Sequence, residues 1–252
     1  MDLTVIIGMI GGLISIATGD LMEGGNPAHV IHITSLIIVI PTAMFSAATA
    51  TESHALSAAF KELKMVFKKT PINFEERIDQ IVDYAIMVKK NGVLALEKDV
   101  QLIEDAFFKE ALGMVVDGSK EEQIEKFLEP IIEETEHYYH GASHYWLLAG
   151  ETCPVMGLIG AVLGLILALQ KLDNPAEMAA GIAGAFTATV TGIAGAYMFL
   201  GPWGNKMKAK SHLLIKDKQV ILAGIKGMAR GDAPGELKLK LTKMVTAMPT
   251  KG

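Results

Sequence analysis

The stretch CPVMGLIGAVLGLILAL, residues 153–169, carries no charged side chain, a proline at 154 and glycines at 157, 160 and 164. A membrane-crossing helix needs roughly 20 mostly apolar residues to span about 30 Å of hydrocarbon. Extended back to residue 147, the run reaches that length. A buried helix of a soluble core fits shorter runs better, so the length points to a membrane. Inside lipid, helices associate by close packing, and small residues let their backbones approach. The three glycines therefore read as a packing face for a neighbouring helix. Pro154 reads as a first-turn proline, whose missing N–H has no intrahelical partner to lose.

Three more blocks resemble this one in being long and almost free of charge: 3–19, 28–50 and 176–200, the last with Glu177 at its start. Half of the 252 residues are hydrophobic and 20% are charged. That average is unremarkable; the clustering of the apolar residues is what matters. The N-terminal MDLTVIIGMIGG lacks the basic region of a signal peptide and reads as a retained helix. The expected fold class is an all-α integral membrane protein. It has four transmembrane helices in two pairs, with a helical cytoplasmic domain between the second and third. No internal repeat of 20–50 residues is visible.

Orientation follows from lysine and arginine, which collect on the cytoplasmic side. Residues 52–150 hold eleven of them and residues 201–252 another eleven, out of 23 in the chain. The loop at 20–27 has none, and the loop at 170–175 has only Lys171. Both termini are thus expected in the cytoplasm. The expected divisions are 1–51 for the first helix pair, 52–146 for the cytoplasmic domain, 147–202 for the second pair and 203–252 for a cytoplasmic tail.

The middle segment reads as amphipathic helices. In INFEERIDQIVDYAIMVKK, Phe74, Ile78, Ile81, Val82 and Ala85 recur at helical spacing, and Gly92 follows as a stop. VLALEKDVQLIEDAFFKEALGMVV continues the pattern as a helix ending before Asp117. Ser119 and Glu122 have the spacing of a capping box. The helix they open runs towards the membrane, with a bend expected at Pro130. The tail begins as a basic extension of the fourth span and is expected to turn loose after GDAPGE.

What is missing narrows the function. A net charge of -5 argues against nucleic-acid binding. The lone Cys153 excludes an internal disulfide and a cysteine-rich zinc site. No ionisable residue lies well inside a span, although proteins that move ions alone keep one there. Asp20, Glu23, Glu52, Glu151 and Glu177 fall at segment ends. His32 reads as an interfacial polar residue, with a proton relay as the alternative. If this chain conducts ions, a partner must supply the carboxylate. The fourth block offers Thr187, Thr189 and Thr191, whose hydroxyls either bond back to their own backbone or face water or an ion. Glu136, His140 and His144 share one helical face at metal-binding spacing; the alternative is an interfacial stretch in which Tyr145 and Trp146 sit at the lipid boundary. No cofactor and no enzymatic chemistry are read from the sequence.

CPVMGLIGAVLGLI, AFTATVTGIAGAYMFLGP and KKNGVLALEKD, in a chain of this layout, resemble the motility protein A family of flagellar-motor stator subunits. The resemblance covers essentially the whole chain. It implies several copies, five, around two copies of motility protein B, in the bacterial inner membrane and in contact with membrane lipid. Each partner copy would contribute one helix and the ion-binding aspartate. The face of 153–169 would then pack on a partner helix inside a ring. Pro154 and Pro202 resemble the prolines that couple ion passage to a shape change, and Thr189 the channel-side threonine. Ala161 stands where sodium-driven relatives carry threonine; alanine has no oxygen for Na⁺, so protons are implied. Glu97 and Lys89 resemble the acidic and basic residues that meet the flagellar rotor switch protein. Many relatives have arginine at the latter place, and lysine keeps the charge without the planar fork. By themselves, Lys89 and Glu97 read as an ordinary solvated helix end.

The function implied is an ion-driven stator subunit that converts proton flow into torque. A biopolymer-transport energising scaffold, of the kind that serves outer-membrane transport, is the alternative. It has three spans with its large domain after the first. A small secondary transporter is a third reading, which the absent intramembrane charge and the large cytoplasmic domain oppose.

Overall fold

The computed structural model describes residues 2–26, 32–70 and 72–246. Every regular element among them is helical. In chain order these are α1 (Leu3–Met22), α2 (Ile33–Thr49), α3 (Ser53–Lys61), α4 (Leu63–Phe67) and α5 (Phe74–Asn91). A 3₁₀ turn (Val93–Leu96) leads to α6 (Glu97–Leu102), α7 (Ala106–Val116), α8 (Glu121–Leu169) and α9 (Pro175–Ala194). A π-helical segment (Gly195–Leu200) joins α9 to α10 (Gly201–Arg230), and α11 (Pro234–Thr246) follows. The chain divides into two compact units, residues 1–70 with 138–210, and residues 71–137 with 211–252.

The first unit is apolar. α1, α8 and the run from α9 through α10 are long and apolar enough to cross a membrane. α2 is apolar but has 17 residues, a rise of about 26 Å at 1.5 Å per residue. The expected start of that span, residues 28–31, lies outside the described residues. No residue of α1 is buried, as suits a helix apolar all round in lipid. α2 buries Ser35, Val39, Ala43 and Ala47, a stripe repeating every four residues. Across from it, Thr152 Oγ1 donates to the Ala43 carbonyl (3.3 Å).

Tyr145 and Trp146 do not lie at a lipid boundary, contrary to the sequence expectation. Both are fully buried. The Tyr145 hydroxyl donates to the Met44 carbonyl (3.3 Å), and Trp146 Nε1 donates to the Ala59 carbonyl (3.0 Å). α3 and α4 supply the apolar cover that makes this possible, with Phe60 packed edge-on to Trp146 at 5.3 Å. A buried aromatic needs a partner for its polar atom, and both have one.

Asp2 fastens the start of α1 within the same unit. Its carboxylate pairs with Lys206 (3.0 Å) and Lys210 (2.8 Å), and its backbone N–H donates to the Phe67 carbonyl (2.7 Å). Lys210, itself buried, also donates to the Met65 and Val66 carbonyls (both 3.0 Å) at the end of α4. The hydrogen bonds from Lys210 and Thr4 hold the Asp2 carboxyl well below the ordinary carboxylate range.

The second unit is built on charged amphipathic helices. α5 buries Ile78, Ile81, Val82 and Ala85, the face its periodicity indicates. Asn73 caps it, accepting the Glu76 N–H (3.4 Å), and Gly92 (φ 79°) ends it in the left-handed region open to glycine. The next segment is not one helix. It breaks into the 3₁₀ turn, α6 and α7 because Asp105 accepts the N–H groups of Phe107 and Phe108 (3.0 and 3.1 Å) and starts α7 afresh.

The capping box expected at Ser119 and Glu122 is shifted by one residue. Gln123 Oε1 accepts the Lys120 N–H (2.9 Å). α8 then runs unbroken through Pro130, which removes only one hydrogen bond from a helix of 49 residues. The tail does not turn loose after GDAPGE either. Gly231 (φ 81°) makes a turn, Pro234 opens α11 where its missing N–H does no harm, and Leu237 and Leu241 anchor that helix in the core.

Arg77 ties this unit together. Its guanidinium grips Asp217 through Nε and Nη2 (both 3.1 Å) and Asp105 through Nη2 (2.9 Å). It also lies 5.0 Å from the centre of the Phe108 ring. One side chain thereby links α5, α7 and α10.

Candidate functional site: the small-residue helix pair

The glycines of 153–169 face α9 of the same chain. A Cβ built on Gly157 would lie 2.9 Å from the Ala188 carbonyl oxygen and 3.1 Å from Gly192 Cα. One built on Gly192 would lie 2.9 Å from the Cys153 carbonyl oxygen and 3.2 Å from Pro154 Cα. Gly164 lies against the Ala185 backbone, and Gly181 against Ala168. These are backbone-to-backbone contacts that any side chain would prevent. The sequence reading assigned this face to a partner helix; the structure assigns it to α9.

Pro154 is not a first-turn residue. It lies deep inside α8, so the Gly150 carbonyl loses the N–H it would otherwise accept. Gly150 in turn lies against Gly201, whose nitrogen would be 2.9 Å from an added Cβ. Ala161 and Thr189 each follow a residue of one contacting pair, Gly160 and Ala188, and so share a depth along the two helices. Both are half-buried.

Thr189 Oγ1 donates to the Ala185 carbonyl (3.3 Å), and Thr191 to Thr187 (2.7 Å). Thr187 donates to Gly184 (2.9 Å) and shares a hydrogen bond with Ser35 of α2 (3.1 Å). All three hydroxyls are thus satisfied by their own helix. From Thr152 to Gln170 and from Met178 to Asn205 the sequence contains no Asp, Glu, Lys, Arg or His.

Sequence reasoning missed the π-helical segment directly after α9. Gly201 N–H donates to the Ala196 carbonyl five residues back. A Cβ on Gly201 would sit 2.7 Å from that oxygen, so glycine is required there. Pro202, exposed, follows with no N–H to give. A proline crowds the carbonyl four residues before it, and widening the turn relieves this. The adjacent Gly201 and Pro202 were the available signal. π segments within α-helices are frequent at functional sites.

Lys89 and Glu97 lie in the second unit and are both exposed. No ion pair among the described residues joins them. Lys89 is in the last turn of α5 and Glu97 in the first turn of α6, where each charge complements its helix dipole. Pro154, Ala161, Thr189 and Pro202 belong to the other unit. His140 and His144 stack with ring centres 6.0 Å apart. Among the described residues no three His, Cys, Asp or Glu side chains are grouped to hold a metal ion.

Helices long and apolar enough to cross a membrane, two of them packed backbone to backbone, define a multi-helix membrane protein. The profile of the MotA/TolQ/ExbB proton channel family matches residues 99–220. Motility protein A of Helicobacter pylori is 53% identical over 245 residues, which cover 97% of this chain and 95% of the relative. Motility protein A of Bacillus subtilis is 29% identical over 98% of this chain and 92% of its own length. Among solved structures, that of C. jejuni MotAB superimposes with a TM-score of 0.94 at 51% identity, covering 97% of this chain and 96% of that one. The flagellar MotAB stator complex from Bacillus subtilis gives 0.88 at 29% identity, covering 99% and 97%. The chain belongs to the motility protein A family.

Proposed function

We propose that this chain is a stator subunit of the bacterial flagellar motor, forming with motility protein B a proton channel whose ion flow becomes torque on the rotor. The observation that carries the reading is the α8–α9 pair. It is packed through its own backbones, and from Thr152 to Gln170 and from Met178 to Asn205 it carries no Asp, Glu, Lys, Arg or His, which points to a titrating carboxylate supplied from outside the chain. The solved MotAB complexes of relatives support MotB as the partner, and the family resemblance makes that partner the source of the carboxylate. In this reading four spans, α1, α2, the latter part of α8 and the run from α9 to Pro202, lie in two pairs in the inner membrane. Residues 52–146 and 203–252 and both termini are cytoplasmic, and five copies surround a partner dimer.

Thr189 and Ala161 line the ion path at one depth. Protons suit this path, since Ala161 has no oxygen for Na⁺ and the Thr189 hydroxyl is engaged with Ala185. Pro154 and Pro202 flank the π segment and convert a change at the partner's aspartate into movement of the helix pair. Lys89 and Glu97 meet the rotor. Thr189→Val or Pro154→Ala should leave the complex assembled and cut bead-rotation speed at least severalfold. Normal speed in both variants would remove the channel assignment, and speed that followed external sodium at fixed proton-motive force would remove the proton.

A further inference from the structure

The apolar unit holds an open crevice of about 610 Å³, within the size range of ligand sites. Leu13 of α1, Ile40 of α2, Phe60 of α3 and Phe199 of the π segment are among its walls, together with Trp146 and Trp203. The wall formed by α9, the π segment and α10 runs from Val190 to Trp203, about 20 Å at 1.5 Å per residue. Half of the hydrocarbon layer is about 15 Å, so the crevice has the length of one leaflet. Three wall residues carry a polar side-chain atom. The Thr191 hydroxyl donates to the Thr187 carbonyl and the Trp146 N–H to the Ala59 carbonyl. Trp203 Nε1 is buried with no acceptor among the described residues. Its ring stands 6.0 Å from Phe67 of α4, at the end of the crevice where Phe60 and Leu63 are walls. Next to these two in the chain, Lys61 and Lys64 are exposed and have no partner among the described residues. Glu62, between them, accepts the Tyr138 hydroxyl (3.4 Å).

We propose that the crevice binds one acyl chain of an anionic phospholipid, with the headgroup phosphate against Lys61 and Lys64. A cavity with such apolar walls stays dry, and in a bilayer the acyl chain is the material at hand to fill it. Lysines at the end of the spans attract anionic headgroups, their stems lying on apolar surface with the ammonium at the polar layer. The Trp203 N–H separates this occupant from a helix of a neighbouring copy. A spanning helix keeps its backbone carbonyls bonded internally, whereas the ester carbonyls of a phospholipid are open acceptors. A small turn of the indole into the crevice reaches one, and a buried donor otherwise left unpaired is costly. The seated chain lies along Gly195 and Phe199, so the lipid braces the π segment from the side opposite α8.

The test uses the intact complex with motility protein B in phosphatidylcholine vesicles that contain a small share of lipid with brominated chains, which quench indole fluorescence on contact. Both tryptophans of this chain are walls of the crevice, and Trp203→Phe identifies their share of the emission. Brominated phosphatidylglycerol should bind about fivefold or more tightly than brominated phosphatidylcholine, as two lysines predict, and saturate at one lipid per chain. Lys61→Gln with Lys64→Gln should erase that preference and leave the subunit number unchanged. Val190→Phe, which fills the crevice, should remove the saturable quenching. Equal quenching by the two lipids, or a preference that survives the lysine changes, would refute the headgroup contact. Quenching that Val190→Phe leaves intact would come from boundary lipid outside the crevice. No quenching by either lipid, or a lower subunit number with Val190→Phe, would show that a neighbouring copy fills the space. Each of these results overturns the proposal.

Discussion

Glycine does different jobs in the two units. In the apolar unit, Gly157, Gly164 and Gly192 admit a neighbouring helix backbone. In the charged unit, Gly224 and Gly227 admit side-chain tips, those of Ile81 and Leu237. The difference follows from the surroundings. Between helices in lipid there is no hydrophobic driving force, so cohesion comes from dispersion over closely approached backbones and from hydrogen bonds. In water, burying large aliphatic groups is itself the driving force, and a glycine serves as a hole for a knob. Ion pairs are placed differently too: the apolar unit keeps its own, at Asp2, Lys206 and Lys210, outside the helix contact. Arg77, Asp105 and Asp217 hold the charged unit together, while the α8–α9 contact contains none.

The strongest way to break the contrast is Gly192→Val. Neither the Cys153 carbonyl nor the Pro154 backbone can retreat from the added methyls, so no assembled complex should be recovered from membranes. A normal yield by gel filtration would show that the helix pair is not packed as described. Next in size is Asp217→Ala, which leaves Arg77 with Asp105 as its remaining anion. It should destabilise the charged unit by about 1.5–3 kcal/mol, the cost of lost hydrogen bonds to a charged group that keeps one partner. Hydrogen exchange on the intact complex should show faster exchange in α5 and α7, with the α8–α9 pair unaffected. The smallest effect has the opposite sign. Gly113 lies inside α7 with nothing within 4 Å of an added Cβ, so Gly113→Ala should stabilise by about 0.5–1 kcal/mol. A fall in the thermal midpoint would show that a partner occupies that space.

Sequence pattern alone located the apolar blocks, the buried face of α5 and the stop at Gly92, because each depends on local chemistry. The small residues of 153–169 were legible as a packing face, but not the neighbour they serve. A glycine records how close something comes, not which chain it belongs to. Tyr145 and Trp146 were misread because their cover, α3 and α4, is remote in sequence. The tail after GDAPGE was misread because Leu237 and Leu241 are only two apolar positions in a polar stretch. They become a core face once Gly224 and Gly227 are placed opposite. The π segment depends on a clash between Pro202 and its preceding turn, which no hydrophobic period records. Lys89 and Glu97 stand apart, since their positions at helix ends are fully explained by dipoles; only family resemblance gave them a further role.

The fastening of Asp2 has a consequence for biogenesis. At about 5–20 residues per second, the ribosome reaches Lys210 roughly 10–40 s after Asp2, so the two ion pairs at this carboxylate close late. Before then the Asp2 N–H can bond to the Phe67 carbonyl, and the rest of α1 has only its packing against residues such as Met198. The first helix to be inserted thus gains its ionic fastening only late, and a nascent chain truncated before Lys206 would leave that end unfastened for quality-control proteases to find.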